Sequence, residues 1–461
     1  MASPRIVIVG AGPAGVRAAE TLLAAGLRPI LVDEGRRDGG QIYRRQPDNF
    51  RRSYAALYGT EASSAENLHR AFDALRNAVD YRPETLAWAI SDKRLHVVTG
   101  AWSDVLDFDA LIIASGATDR LMPVRGWNMA GVYSLGGAQI ALKSQACAIG
   151  RRVVFMGTGP LLYLVAAQYK KAGAGVAAVL DTSPFRLRLK ALPRLMARPE
   201  VLAKGLALTW ALKRSGIDIQ TGIEPLEIEG QRENGVEGIR YRTRRGKTRV
   251  IPCDAVALGY HLRPETQLAD LARCEFRFDS GTRQFFPVKD EDGRSSIPGI
   301  YLSGDGAIPL GADGAELAGR LAALAVLADL GHAVPESARS GLRRSLRAME
   351  RFRRGLAAAF PWPAHFAAAL GGDTVVCRCE NITTGELRAA VTEKGGVELN
   401  RAKAFSRVGM GRCQGRYCGH AAAEIIAAAA KIPVEEVGRL RAQAPVKPLP
   451  IATGDHGVGA A

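Results

Sequence analysis

The sequence predicts an α/β chain of two dinucleotide-binding, Rossmann-like units, the first interrupted by the second, followed by a small helical C-terminal domain with paired cysteines. Three observations lead there. An apolar run enters the glycine pattern Gly10-Ala-Gly12-Pro13-Ala14-Gly15, a second strand–glycine–helix–strand pattern begins at Arg151, and four of the seven cysteines fall between positions 377 and 418. At 461 residues the chain has room for two to four domains of roughly 100–200 residues each. With 47% apolar residues it can build a core for each, which excludes a disordered or fibrous chain. No apolar run approaches the roughly 20 residues that cross a bilayer. The N-terminal run is broken by glycine where a signal peptide would carry a longer one. A soluble, cytoplasmic protein is expected, and an odd cysteine count with three scattered singly fits a reducing compartment better than a disulfide framework.

The first unit reads strand (Ile6 to Val9), glycine turn, Ala-rich helix to about Ala25, and a second strand from Pro29 that ends in Asp33-Glu34. Gly10 permits the tight turn, Gly12 lets the backbone approach a pyrophosphate, and Gly15 lets helix and strand pack closely. The helix N-terminus faces the phosphates, where its unpaired N–H groups and positive dipole end favour an anion. Asp33, at the end of the second strand, can accept hydrogen bonds from an adenosine ribose.

From Arg151 the plan repeats: Val153 to Met156, then Gly157-Thr-Gly159-Pro160-Leu-Leu162, a helix to about Ala172, and a strand ending at Asp181. Leu162 stands where a third glycine should be. The fold is expected to be kept, whereas NAD(P) or another nucleotide at this second site is left open. If one binds, Asp181 would favour a free 2′-hydroxyl over a 2′-phosphate.

Cys377-Arg-Cys379 and Cys413-Gln-Gly-Arg-Tyr-Cys418 supply four thiols in two close pairs. Four thiolates suit zinc or an iron–sulfur cluster, and the one-residue spacer is unusual for structural zinc. Thr383 and Glu386 are placed as a capping box opening one helix, and another opens after Cys418. With no cysteine before 147, the chain lacks the pair of a disulfide reductase. Cys147, Cys253 and Cys274 are read as small buried apolar residues. The dispersed histidines, among them His69, His96 and His261, read as surface or satisfied core groups, and His420 is not needed as a ligand beside four thiols.

Distant segments resemble known flavoproteins. Gly299-Ile-Tyr-Leu-Ser-Gly304-Asp305-Gly is similar to the late segment of two-dinucleotide-domain flavoproteins, Leu111-Ile-Ile-Ala114-Ser115-Gly116 to their other strand and small-residue turn, and Gly39-Gly40-Gln41 to the turn that passes the flavin. The stretch CRCENITTGEL through GMGRCQGRYCG resembles the small helical 2Fe-2S domain first named from bacterioferritin-associated ferredoxin, in the variant fused to certain flavoprotein subunits. Together with ASGATDRLMPVRGW (114–127) and RPETLAWAI (82–90), these stretches resemble the large FAD-binding alpha (or A) subunits of heteromeric amino-acid and opine dehydrogenases. The relatives are the A subunits of octopine and nopaline oxidase, D-hydroxyproline dehydrogenase alpha and the B subunit of cyanide-forming glycine dehydrogenase.

The resemblance implies an α/β fold of the FAD/NAD(P) disulfide-reductase-like superfamily with an iron–sulfur domain at its C-terminus. FAD would lie against Gly10, Gly12, Pro13, Ala14, Gly15, Asp33, Glu34, Gly40, Gln41, Leu86, Ala114, Ser115, Gly116, Gly304 and Asp305. A 2Fe-2S cluster would lie on Cys377, Cys379, Cys413 and Cys418. A weaker second nucleotide site would take Gly157, Gly159, Pro160 and Asp181. The implied function is that of one subunit of an oxidoreductase acting on CH–NH or CH–NH2 donors. It would relay electrons from an amino-acid-type substrate oxidised on a second flavoprotein (beta) subunit, and a small ferredoxin-like gamma subunit is a further candidate partner. No acid–base pair in this chain stands out as catalytic. Two alternatives are weighed: a self-sufficient NAD(P)H-dependent flavoprotein reductase feeding a ferredoxin-like partner, which Leu162 argues against, and a nucleotide-binding scaffold without redox function.

The net charge of +16 has two sources. Residues 184–214 carry eight cations against Glu200, and residues 339–354 carry seven arginines against Glu350. Leu342, Leu346, Met349, Phe352, Leu356 and Phe360 recur at helical spacing, so the second stretch is expected to be an amphipathic helix with its basic face outward. Both stretches read as solvated faces or docking surfaces for acidic partners. No nucleic-acid motif accompanies them, and membrane contact would be peripheral at most. The expected organisation is an FAD domain at 1–120 plus 295–335, a second domain at 121–294 with a basic helical insertion at 184–214, and a helical connector at 336–372. A cluster domain at 373–440 and an extended tail at 441–461, free to lie against a partner, complete it.

Overall fold

The computed structural model describes residues 3–231, 233–451 and 454–455. β1 (Ile6–Val9), α1 (Pro13–Ala24) and β2 (Ile30–Val32) open the first unit. Helices α2 (Tyr54–Tyr58) and α3 (Ala62–Leu75) lead to β3 (Asp80–Arg82), the meander β4 (Thr85–Ser91), β5 (Arg94–Thr99) and β6 (Trp102–Asp107), and then β7 (Ala110–Ile113). The chain leaves this unit through β8 (Ala117–Asp119). The second unit holds β9 (Val132–Ser134), α4 (Leu135–Ser144), β10 (Val153–Thr158), α5 (Pro160–Lys171), β11 (Val176–Asp181), α6 (Phe185–Leu195), α7 (Pro199–Arg214) and β12 (Asp218–Thr221). An antiparallel flap of β13 (Glu224–Gln231), β14 (Gly235–Arg242) and β15 (Thr248–Pro252) precedes its last strand, β16 (Ala255–Tyr260). β17 (Leu262–Pro264) returns antiparallel to β8, and α8 (Gln267–Leu271), β18 (Phe276–Asp279), β19 (Gln284–Pro287), β20 (Ile300–Leu302) and α9 (Ala312–Asp329) follow.

Two parallel five-stranded sheets result, ordered β20-β7-β1-β2-β3 and β12-β11-β10-β16-β9. All residues of β1, β7 and β16 are buried, as expected for strands covered on both faces. One boundary differs from the sequence reading. Leu268, Ala269 and Cys274 pack with Leu111, Ile113 and Ile300 under the first sheet, so the chain rejoins the first unit at about residue 265 rather than 295. The apolar positions of α8 share their core with strands on both sides of it in the chain, β7 far earlier and β20 later, which local patterning does not reveal.

The C-terminal part comprises α10 (Glu336–Ala359), α11 (Phe366–Ala369), β21 (Val375–Cys377), β22 (Ile382–Thr383), α12 (Thr384–Thr392), α13 (Leu399–Ser406) and α14 (Gly419–Ala430). The capping box at Thr383 and Glu386 is formed, with each side chain accepting from the other residue's backbone N–H. This domain is no appended bead. Its residues Cys377, Leu387, Cys418 and Ile425 share one continuous core with Val154, Met156, Leu180 and Leu258 of the second sheet, and Trp127 Nε1 donates to Val375 O at 2.5 Å.

Three further expectations change. On α10, five of the seven arginines are ion-paired: Arg339 and Arg343 with Asp292 and Glu336, Arg347 with Glu291, and Arg353 and Arg354 with Glu350. That helix is stitched to its own chain and is not a free basic face. The described part of the tail lies on its own chain as well: Val446 is buried and donates to Trp88 O, Lys447 pairs with Glu34, and β23 (Gly454–Asp455) runs parallel to β6; the rest of the predicted tail lies outside the described residues. Cys147 is exposed, whereas Cys253 and Cys274 are buried as expected. Among the described residues no helix is long and apolar enough to cross a membrane.

The first unit depends on a close crossing of α1 and α9. A Cβ at Gly319 would stand 2.0 Å from the Ala14 carbonyl oxygen, and one at Gly304 would stand 2.8 Å from Ala14 Cβ. Gly319→Ala is therefore expected to push the two helices apart and lower stability by about 1–3 kcal/mol. The thermal midpoint should fall and flavin retention with it, and a variant melting at the wild-type temperature would contradict this contact.

Candidate functional site

The C-terminal edge of the first sheet assembles the predicted cofactor residues. Val9 pairs with Ile113 and Val32, and Ile113 with Leu302, so the turns at Gly10, Asp33, Ala114 and Ser303 emerge side by side. Ligands bind at this edge in open α/β sheets. Gly10, with φ +106°, tolerates no side chain: its Cβ would lie 2.4 Å from Ala114 O. Gly15 is equally constrained, 1.8 Å from Gly10 O. Pro13 begins α1, leaving the helix N-terminus bare behind Gly12. The turn Gly39-Gly40 closes over it: Gly39 N–H donates to Ala11 O at 2.9 Å, and a Cβ on Gly40 would come within 3.0 Å of Gly12 Cα.

Asp33 accepts from Ala11 N at 2.5 Å and Gly35 N at 2.6 Å, and burial, opposed by these two bonds, holds its carboxyl above the usual range. Thr85 N donates to Asp33 O, which brings the half-buried Leu86 beside the same acid. Asp305 accepts from Leu310 N and Gly311 N at 2.8 and 3.0 Å, and burial again raises its carboxyl. Gln41 is exposed and accepts from Arg44, while Glu34 is exposed and paired with Lys447, so these two stand at the rim. Arg44, unmarked by any motif, faces Asp33 and Glu34 with a buried Nε that has no partner among the described residues, and Ser303 Oγ at the strand ends is likewise buried and without a partner among them. A glycine cradle, a cation with a spare donor and buried acids on one sheet edge suit FAD.

The second unit is built alike but closed. A Cβ at Gly157 would meet Gly259 O at 1.7 Å, Gly159 caps α5 with Pro160 at its first turn, and Leu162 fills the core between helix and sheet. Asp181 is fully buried and accepts from Thr158 Oγ1, Ser183 N, Tyr163 OH and Arg188 Nη2 at 2.6–2.8 Å. Four donors saturate a carboxylate, so Asp181 has no lone pair left for a ribose hydroxyl. Arg188 lies over Phe360 and Tyr163 and completes this closed knot.

The four cysteines come together in the C-terminal domain. Cys418 lies within hydrogen-bonding reach of Cys377 and of Cys413, and Cys379 within reach of Cys413. The Cys418 thiol, whose one proton either neighbour can accept, pulls Cys377 down to about 6 and Cys413 to about 5 and is itself raised. Backbone N–H groups of Gly409 and Glu380 reach Cys377, and those of Gly415 and Tyr417 reach Cys413, the surroundings a thiolate needs. Among the described residues no three His, Cys, Asp or Glu side chains stand in the geometry of a single bound ion; the thiols are linked pairwise. Cys377 and Cys418 are buried, Cys413 is half-buried and Cys379 is exposed, so the site opens on one side. The residues fit a 2Fe–2S cluster held by four thiolates. His420 stands beside this loop, where burial and the charges of Arg120 and Arg263 hold its imidazole well below its usual range.

Comparison with known proteins agrees with this geometry. Residues 4–330 match the family model for pyridine nucleotide-disulphide oxidoreductase, and residues 375–428 match the BFD-like [2Fe-2S] binding domain. The chain is 38% identical to the A subunit of opine oxidase from Rhizobium meliloti, covering 97% of this chain and 86% of that one. It is 38% identical to the corresponding opine oxidase chain of Agrobacterium tumefaciens, with 98% and 91% covered. Hydrogen cyanide synthase subunit HcnB of Pseudomonas aeruginosa is 32% identical, with 97% of each covered. Among solved structures, L-proline dehydrogenase from P. horikoshii superposes with a TM-score of 0.70 at 20% identity, over 97% of this chain and 78% of that one, a likeness of fold. The cofactors are FAD in the first unit and a 2Fe–2S cluster in the last, and the chain belongs to the family of opine oxidase A subunits, within the flavin oxidoreductases.

Proposed function

We propose that this chain is the FAD- and 2Fe–2S-bearing subunit of a heteromeric dehydrogenase that oxidises an amino-acid or opine type of secondary amine on a partner flavoprotein subunit. When bound, FAD accepts electrons in pairs and a 2Fe–2S cluster passes them singly, so together they convert one mode of transfer into the other. This chain's residues hold the two groups and fix them relative to each other. One observation carries the reading: the loop Cys413–Cys418 is fastened to the Ala114–Gly116 turn that closes the flavin edge, through Glu265 and Arg416. A cytoplasmic setting suits seven cysteines that are all free.

The NAD(P)H-reductase alternative needs a nucleotide in the second unit, where Asp181 is saturated and Leu162 replaces a glycine. Anaerobic NADH or NADPH is expected to leave the flavin of the purified chain oxidised over the mixing time, and immediate bleaching would overturn the proposal. Cys413→Ser should abolish the electron paramagnetic resonance signal of the dithionite-reduced cluster while sparing flavin absorbance; a wild-type signal in that variant would remove Cys413 from the ligand set.

For the partner subunit we assign the face of α6 and α7. Phe185, Leu189 and Leu192 on α6, Met196 at its C-terminal end, and Leu206 and Trp210 on α7 are exposed, and Arg186, Lys190, Arg194, Lys213 and Arg214 among them have no acidic partner among the described residues. An apolar stripe between unmatched cations suits a partner with an apolar patch rimmed by acids. The double variant Leu189→Asp, Trp210→Asp should keep its flavin and lose co-purification with the second subunit, and undiminished co-purification would place that contact elsewhere.

A further inference from the structure

Glu265, which no motif marks, touches both cofactor sites. It follows β17, the strand by which the chain returns from the second unit. Its backbone faces the flavin edge: its N–H donates to Gly116 O at 2.9 Å, and its C=O accepts the Ser115 hydroxyl at 2.6 Å. Its carboxylate faces the cysteine loop, accepting from Arg416 Nε at 2.7 Å, with Arg263 Nη1 at 3.9 Å. Arg416 lies inside the Cys413–Cys418 loop and turns Nη1 to Cys413 O at 3.3 Å and Val446 O at 2.8 Å. Arg263 donates to Arg416 O at 3.4 Å, and Gln267 Nε2 to Gln414 O at 3.1 Å, so the loop is held at several points by the segment 263–267. Side-chain exposures of 8% for Arg416, 9% for Arg263 and 12% for Glu265 remove all three charges from bulk screening.

We propose that Glu265 is a positioning residue holding the cluster loop against the flavin turn, and that the net positive charge of the buried Arg263–Glu265–Arg416 triad raises the reduction potential of the cluster. Two guanidiniums and one carboxylate leave one positive charge beside the cysteine loop. A four-thiolate 2Fe–2S cluster is anionic and gains one more negative charge on reduction, and net charge and hydrogen bonding around a cluster set its potential. In a poorly screened interior that added charge feels a nearby cation strongly. The triad therefore favours the reduced cluster, the direction that lets it accept an electron delivered from the flavin side. The inference rests on the assignment of the four cysteines as cluster ligands.

The test is a potentiometric titration of the cluster signal by electron paramagnetic resonance in the full chain and three near-isosteric variants. Glu265→Gln removes the acid and should raise the potential. Arg263→Gln and Arg416→Gln each remove a cation and should lower it. Loosening of the loop would move all three in one direction, so equal signs, or no shift in any variant, would overturn the proposal. Should Arg416→Gln fail to retain a cluster, Glu265→Gln and Arg263→Gln decide the matter, since neither lies within the ligand loop. A wild-type chain without any cluster signal would instead defeat the cluster assignment, a different result from a wild-type signal with unshifted variants.

Discussion

Glu265, Asp270 and Glu424 are acids in poorly hydrated surroundings, where a charge costs several kcal/mol unless a cation and hydrogen bonds offset it. In each case an offsetting cation comes from across the same seam. Glu265 on the first-unit side takes Arg416 from the cysteine loop, Asp270 takes Arg439 and Arg441 from the segment after α14, and Glu424 on α14 takes Arg283 from the turn between β18 and β19. Loss of Glu265 would leave Arg263 and Arg416 buried and unmatched, at about 3–5 kcal/mol. Such pairs add little to stability relative to apolar packing, but they fix register, because a slip along the seam would expose several mismatched charges at once. The separation of the two cofactor sites follows from that register.

Close backbone approaches do at each site what the ion pairs do between them. Around the flavin edge, Gly10, Gly15, Gly304 and Gly319 admit neighbours at distances no side chain would allow. At the cysteine loop, Leu440 packs where side chains on Gly409 and Gly415 would sit, 2.7 and 2.2 Å from the Cβ positions those glycines lack. Bare backbone leaves N–H groups free to point at an anion, phosphate in one site and thiolate in the other.

What was legible in the sequence was local. The fingerprint at Gly10, the acid at Asp33, the second nucleotide-type plan and the two cysteine pairs each lie within a short window whose periodicity or spacing has one dominant explanation. What was hidden depends on partners far along the chain. Glu265 and Arg416 are 151 positions apart, and neither belongs to a pattern. Charge counting on α10 has the sign of the helix but not the acids Asp292 and Glu291 that pair with three of its arginines, and the composition of the tail does not reveal that Val446 is buried. Asp181 shows the same limit from the other side. Its position at a strand end is the one a ribose-binding acid would take, yet Tyr163 and Arg188 turn it inward.

That inward turn bears on why a nucleotide-type unit persists here. A Rossmann-like sheet must cover both faces. On one face of the second sheet, Phe155, Val179 and Ala257 pack against α4 and α5. On the other, Val154, Met156, Leu180 and Leu258 pack into the core that contains Cys377 and Cys418. The sheet is therefore the floor on which the cluster domain stands, and the knot of Asp181, Tyr163, Arg188 and Phe360 joins that floor to the connector that carries the cluster domain. Arg120 adds a second tie, stacked 3.7 Å from the Trp362 ring while donating to Thr282 O and Arg283 O. The second unit thus serves as support for the cluster domain, and Leu162, standing where a third glycine would let helix and strand pack closely, fills the core between α5 and the sheet.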